Sequence, residues 1–391
     1  MEKKILMIVY TNYPTDTRVR REAETLSRLP EYSVSVLSLK SKEKPVTYSL
    51  DGVQVIELNE QKYYGKNQVK YVFSYVRFLV LSLFKCTELF FSEKIKTVHV
   101  HNMPNFLVFS AIIPRLFGKK VILDTHDTVP ETYATKFSVL SGWLFRLLCL
   151  EERVSCAFAH KIISVNSVQR EALIARGISK DKITISMNVL DHRIFNSQAC
   201  QTNTSLKTDG LKMVYHGTIA KRLGVDLIIR SMADSIKYFP DLEFHIWGSG
   251  GGDLDEIAKL SKKPGFVGKV QFHDALPMRD LIPKLLGMTL GVVGNRKSPA
   301  TELMLPVKML EYVALGIPVV APRLKAVQHY FTEEMVSYFE PDDIESMTRA
   351  ILRLLERESL RKSQAVKAKA FLDQYGWEKH QKSLIDLYNN L

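Results

Sequence analysis

The segment 302–322, ELMLPVKMLEYVALGIPVVAP, sets Lys308 and Glu311 within one helical turn of each other, just after a proline. Pro306 suits the opening turn of a helix, where its missing N–H costs nothing. Apolar spacing carries that helix over 306–315, and Gly316 ends it. Its N-terminal stretch, Leu305, Pro306, Val307 and Lys308, would bring a partial positive charge and a lysine point charge to a diphosphate. Glu311 could accept both hydroxyls of a ribose, as acidic residues do in dinucleotide folds. Taken alone, the segment reads equally well as a solvated helix.

Two loops carry glycine beside polar groups. The first, 217–224, holds Gly217, Thr218, Lys221 and Arg222; small residues allow close approach to an anion, and fixed cations neutralise phosphate charge. The second runs Gly248-Ser249-Gly250-Gly251-Gly252 and is not GxGxxG, because Asp253 follows. Gly248 and Gly250 remain candidates for donor contact. Asp253-Leu254-Asp255 imitates a metal-binding DxD, but capping the next helix is the better reading. His99 and His101 share one strand face with no third ligand evident, so no metal is expected. His126 ends a strand-like run, where α/β sites form. The plain alternative is a loop histidine satisfied by Asp124 or Asp127.

These residues need parallel sheets to hold them. Continuous apolar runs fall at 4–10, 33–39, 97–101, 120–124, 161–165 and 182–187, with helical patterns such as 18–28 and 168–176 between them. A second series occupies 211–216, 243–247, 269–273, 289–294, 318–321 and 337–340. The order predicts an α/β protein of two doubly wound, Rossmann-like domains, 1–197 and 211–375, joined by the polar linker 198–210. A chain of 391 residues suits two such cores.

Net charge is +12, and residues 1–200 hold 28 Lys and Arg against 19 Asp and Glu, so an anionic partner is expected there. No nucleic-acid module accompanies that charge. Four cysteines without metal spacing imply a reducing compartment, and the short apolar run after Met1 reads as a strand rather than a leader. The expected location is cytoplasmic. The apolar stretch 71–91 contains Arg77, Lys85 and Glu88, and Lys70, Ser74, Arg77, Ser82, Lys85 and Glu88 form one polar stripe. That predicts an amphipathic helix packed on its sheet or lying on a membrane surface, rather than a span.

The segment 302–322 resembles the nucleotide-binding signature of the family-4 retaining glycosyltransferases, which have the GT-B fold. Glu311 matches the second glutamate of that signature, and Leu305–Lys308 has the form of a Leu-Pro-x-Lys subgroup. The first glutamate would fall at 303, where this chain has Leu303, with Glu302 one place away. Similar matches extend along the chain: Thr15-Asp16-Thr17-Arg18, His99 to His101, Asp124-Thr125-His126-Asp127 with Glu131, and His216-Gly217-Thr218 with Arg222. The resemblance implies two domains facing a cleft, with the last helix, 376–391, crossing back to the first. It implies His126, Arg222 and Asp127 as catalytic groups, with Asp16, Arg18, His101 and Glu131 on the acceptor side. It also implies a nucleotide-sugar donor (UDP commonest, GDP possible), a lipid-linked or oligosaccharide acceptor met at a membrane's inner face, and retention without a metal. A GT-B epimerase and an inactive donor-binding scaffold are the alternatives.

Overall fold

The computed structural model of the chain describes residues 3–42, 44–63, 68–137, 142–190, 194–195, 210–250 and 253–391. All of the expected linker but Gly210 lies outside these residues. The chain divides into two compact units, Met1–Asn188 with Glu378–Leu391, and Val189–Trp377.

The first unit holds an eight-stranded sheet of β1 (Lys3–Ile8), β2 (Tyr32–Leu39), β3 (Thr47–Leu50), β4 (Val53–Leu58), β5 (Thr97–His101), β6 (Lys120–Thr125), β7 (Lys161–Ser164) and β8 (Ile183–Ile185). Their order is β3-β4-β2-β1-β5-β6-β7-β8. Only the β3–β4 hairpin is antiparallel among the described pairs. Most strand positions are buried because helices cover both faces, even where β2 carries serines and β5 carries two histidines, and β5 is buried throughout. The order reverses between β1 and β5, so the ends of those two strands open a crevice where α/β ligands bind.

Among the described residues, helices α1 (Thr17–Ser27), α2 (Gln68–Glu93), α3 (Ile112–Leu116), α4 (Val129–Phe137), α5 (Trp143–Phe158) and α6 (Ser167–Ala175) accompany this sheet, together with the C-terminal helix Trp377–Asn389. Asp16 caps α1, its carboxylate accepting from the Val19 N–H at 3.1 Å, a contact worth about 1 kcal/mol. Asn166 caps α6 in the same way.

Helix α2 departs from the sequence expectation. Ser74 and Ser82 of the supposed polar stripe are buried: Ser74 accepts from the Tyr10 hydroxyl at 2.9 Å, and Ser82 donates to the Leu79 carbonyl. These hydroxyls bond locally, so they pack inward beside Phe78 and Tyr75. The outward face is largely apolar instead, through Val69, Phe73, Val76, Val80, Phe84 and Phe91. No helix among the described residues is long and apolar enough to cross a membrane.

The second unit is a parallel six-stranded sheet of β9 (Lys212–His216), β10 (Glu243–Trp247), β11 (Val270–His273), β12 (Leu290–Val292), β13 (Val319–Pro322) and β14 (Ser337–Phe339), ordered β11-β10-β9-β12-β13-β14. Its order reverses between β9 and β12. The helix Val307–Ala314 lies against this junction because Tyr312, fully buried, reaches under the sheet: its hydroxyl accepts from the His216 N–H at 3.1 Å. Pro306 stands at the cap of that helix rather than within its first turn.

Candidate functional site

A cavity of about 520 Å³ opens at the β9/β12 reversal of the second unit, within the range of small-ligand sites. Gly217 follows β9 and Asn295 lies just beyond β12. One wall is the start of the helix Val307–Ala314, with Pro306, Val307, Lys308 and Glu311. The Lys308 ammonium is buried without a hydrogen-bond acceptor among the described residues and sits 3.8 Å from the centre of the Tyr215 ring. Burial pulls its pKa down to about 7, with Glu311 pulling the other way. Glu311 is held by His216, Nε2 to Oε2 at 2.5 Å, and the other nitrogen of His216 lies 3.0 Å from the Tyr312 hydroxyl. One helix therefore carries both the carboxylate and the tyrosine that fix each other through a strand-end histidine.

The opposite wall is apolar: Trp247, Leu276, Met278 and Leu281. Trp247 stacks on His273 with ring centres 4.4 Å apart, giving a flat surface of the kind planar heterocycles favour. Asn295 is buried, with neither polar side-chain atom partnered among the described residues. Leaving a buried amide unpaired costs about 1–3 kcal/mol, which a bound polar ligand would recover. Close backbone packing shapes the floor: a Cβ at Gly248 would stand 1.9 Å from the Gly217 carbonyl oxygen, and one at Gly224 1.8 Å from that of Gly294.

Of the expected donor-side residues, Gly217, Thr218, Arg222, Gly248, Pro306, Val307, Lys308 and Glu311 line this cavity. Lys221, Gly250 and Leu305 do not. Lys221 is turned to Glu256 at 2.7 Å, in an exposed pair, so Arg222 is the loop's cation in the cavity. Gly250 lies against Ile219 and Leu254, where a Cβ would not fit, and its role is packing. The Asp253 side chain does not cap the helix Leu254–Ser261; it accepts from the Lys221 N–H. Glu302 accepts from the Lys325 N–H at 2.7 Å, away from the cavity. Sequence reasoning missed the contributions of His216, Trp247 and Asn295. The first two carried a usable signal, as the last residues of strands; Asn295 carried none.

In the first unit, the strand ends at the β1/β5 reversal hold an ion cluster. Arg18, buried, grips Asp124 with bonds of 2.9–3.1 Å, donates to the Ser186 carbonyl, and lies 3.2 Å from Glu22. His101 and His126 each lie 3.2 Å from one Asp124 oxygen and 3.1 Å from each other. Burial alone would raise the Asp124 pKa, but Arg18 and the histidines hold it well below the carboxylate range. Burial likewise opposes protonation of His126, yet Asp124 outweighs it and the pKa is raised. Glu22 is pushed up to about 7, by burial against the pull of Arg18.

His126 is the member of the cluster that reaches the surface, 21% exposed at its side chain. Arg18 and His101, expected on the acceptor side, are instead buried supports for it, because Asp124 needs a counter-ion and donors inside the sheet edge. Asp16 is a helix cap. Glu131 is paired with Arg176, which also holds Glu152. Asp127 is exposed, its N–H near the Asn102 side chain. The structure also supplies what the histidine pair lacked in sequence: Glu22, His99, His101 and Asp124 bring ligand atoms within 4.8 Å of one another. Arg18 already neutralises both carboxylates of that group, so the cluster carries its own cation.

Two doubly wound sheets, the second with a reversal-point cavity bearing a lysine, a helix start and a glutamate, define a protein of the GT-B type. Family models make this specific. Residues 15–188 match the glycosyl transferase 4-like domain and residues 210–357 match glycosyl transferases group 1. The chain is a glycosyltransferase of GT-B fold.

It is similar to a phosphatidylinositol N-acetylglucosaminyltransferase component from Arabidopsis thaliana, 23% identical over 66% of this chain; the match spans 54% of that relative. Among solved structures, it resembles sucrose-phosphate synthase from Thermosynechococcus elongatus (17% identity, TM-score 0.78, covering 100% of this chain and 99% of the other). It also resembles Anabaena HepE in complex with UDP and glucose (13% identity, TM-score 0.72, 100% of both chains).

Proposed function

We propose that the chain is a retaining glycosyltransferase that moves a sugar from a UDP-sugar to a lipid-linked glycan acceptor. The observation that carries this reading is the unpartnered Lys308 ammonium beside Glu311 at a helix start. A diphosphate would give that cation its missing partner, Glu311 would take the ribose hydroxyls, and the Trp247 wall would receive the base. Arg222 and Lys308 supply the positive charge that a leaving diphosphate needs, so catalysis requires no metal. The family resemblance assigns His126 to catalysis, and within the first unit Asp124 and His101 orient it. Retention follows the family resemblance and would proceed by same-face attack. The UDP assignment is supported by HepE, whose structure holds UDP. The lipid-linked acceptor is supported by the phosphatidylinositol-directed relative.

A second reading has its own observation. Leu303 stands where a donor-sugar glutamate would, Glu302 is engaged elsewhere, and Glu311 is the one carboxylate lining the cavity among the described residues. That arrangement would suit a protein that binds donor without turning it over. The test is incubation with a UDP-sugar panel and extracted glycolipids, with and without a chelator, read by mass spectrometry. Acceptor gaining one sugar in the presence of the chelator is the expected result. Donor altered without acceptor would identify an epimerase, and donor bound but unchanged would identify a scaffold.

A further inference from the structure

Asn295 lines the donor cavity and is 1% exposed, and neither its amide nitrogen nor its carbonyl oxygen has a partner among the described residues. A primary amide both gives and accepts hydrogen bonds. Buried and unpaired, it weakens the fold, and an apolar side chain of the same shape would remove that cost. A polar group held here against stability points to a ligand that pairs with both of its ends.

The order of the strand ends says which part of the ligand that is. Strands β10, β9 and β12 lie side by side, so two strand spacings, about 10 Å, separate the first from the last. Trp247 ends β10 and carries the flat wall. His216 ends β9 and holds Glu311, and a Cβ at the next residue, Gly217, would stand 3.3 Å from the Lys308 ammonium. Asn295 follows β12, and the N–H of its neighbour Arg296 donates to the Arg222 carbonyl at 3.1 Å. With the base at Trp247, the ribose at Glu311 and the diphosphate at Lys308 and Arg222, the sugar falls on the Asn295 side.

That end of the cavity holds no carboxylate among the described residues. Position 303 is leucine, and Glu302 is held by the Lys325 N–H and by Lys297. Apolar Leu223 and Met304 line the cavity beside Asn295. Leu223 follows the Arg222 carbonyl that Arg296 engages. The Met304 N–H donates to the Thr301 carbonyl, and the Thr301 hydroxyl donates to the Arg296 carbonyl at 2.6 Å. Both are thus tied to the backbone next to Asn295, which leaves its amide as the polar group between two apolar side chains.

We infer that Asn295 binds the sugar of the donor and sets which sugar the chain accepts, its nitrogen giving and its oxygen accepting a hydrogen bond at neighbouring ring substituents. A carboxylate only accepts, whereas an amide does both. A sugar with one substituent reversed or replaced would leave one amide atom buried and unpaired, which is how a polar site rejects a close analogue. The inference rests on the transferase reading and adds to it the residue that reads the sugar.

The test is calorimetric titration of the full chain with UDP, UDP-glucose, UDP-galactose and the 2-acetamido counterparts of both sugars. The wild type should bind one of these sugars at least about tenfold more tightly than its epimer or its 2-acetamido counterpart. Asn295→Leu should bring all of them within about threefold of one another and leave the affinity for UDP unchanged. Without ligand it should melt no lower than the wild type, because it removes an unpaired buried amide; an asparagine that served the fold would give the opposite sign. Asn295→Ser, smaller and open to water, gives the same binding comparison if leucine does not fit. Equal binding of every sugar by a wild type that binds UDP, or a preference that the folded variants keep, would overturn the inference and leave the transferase reading standing. Variants that lose UDP itself would move Asn295 to the diphosphate and overturn it as well. Failure of the wild type to bind UDP would overturn the transferase reading, and this inference with it.

Discussion

The two sheets reverse strand order in the same way, but their reversal points are furnished differently. At the first, the charges pair with one another, Arg18 with Asp124 and Glu22, Asp124 with two histidines, although both Glu22 oxygens and the Nε2 atoms of His99 and His101 lack a hydrogen bond among the described residues. At the second, a lysine and a buried asparagine are left unanswered, and a 520 Å³ space stands before them. On the proposed reading, the charge-paired cluster orients one exposed group, His126, and the unpaired lysine and asparagine receive a ligand, so the same topology serves positioning in one unit and binding in the other.

The largest expected effect breaks the charge-paired side. Arg18→Met would leave Asp124 buried without its counter-ion and should cost about 3–5 kcal/mol of stability, read by urea unfolding. Glu311→Ala, at the open site, should cost less, about 1–3 kcal/mol by the same measurement, because it leaves one nitrogen of the buried His216 without its partner while the other still meets Tyr312. If the two costs were equal, the contrast between the sites would fail.

Next in size is a catalytic effect without a stability effect. Arg222→Ala should raise the barrier by about 2.7–4 kcal/mol, the penalty for losing one preorganised charge-stabilising group, with the melting temperature unchanged. Near-normal turnover would remove Arg222 from the mechanism.

A smaller effect separates the two kinds of cation. With its pKa near 7, Lys308 is mostly neutral at pH 8, and a bound diphosphate should charge it. Calorimetric titration of UDP at pH 8 in buffers of different ionisation enthalpy should show uptake approaching one proton, absent in Lys308→Met. The sign for stability follows from the same shift. Between the folded value near 7 and the unfolded value of 10.5, the unfolded chain binds the extra proton. This group's contribution to stability therefore rises with pH across that window, and Lys308→Met should flatten the rise.

The smallest effect belongs to His126. Its raised pKa adds stability that is complete below the unfolded value of 6.5 and fades as pH rises through the folded value. Thermal melts of His126→Asn from pH 5 to 8 should lack that decline while transferase activity falls.

How much of this was legible in sequence differs by element. Strand β5 has its expected bounds because β-branched Thr97, Val98 and Val100 alternate with His99 and His101 along a strand buried throughout. The hairpin β3–β4 was missed, although Asp51-Gly52, both in the left-handed region, is the turn signal for it. The helix at 307–314 and its lysine–glutamate pair were readable because local spacing alone sets them. The partners of Arg18 were not. Asp124 is 106 residues away in sequence, and only the sheet order brings the two together. The outward apolar row of α2 was hidden for another reason: serine reads as polar in sequence, yet Ser74 and Ser82 satisfy their hydroxyls inside the protein and leave the surface to phenylalanine and valine.

The central claim, that a nucleotide sugar fills the second unit's open cavity, is tested most directly by a thermal-shift panel of UDP-, GDP-, ADP-, CMP- and dTDP-sugars on the wild type and Glu311→Ala. Stabilisation by UDP-sugars, lost in the variant, is the predicted result. No stabilisation by any donor, or a shift that Glu311→Ala leaves intact, would contradict it.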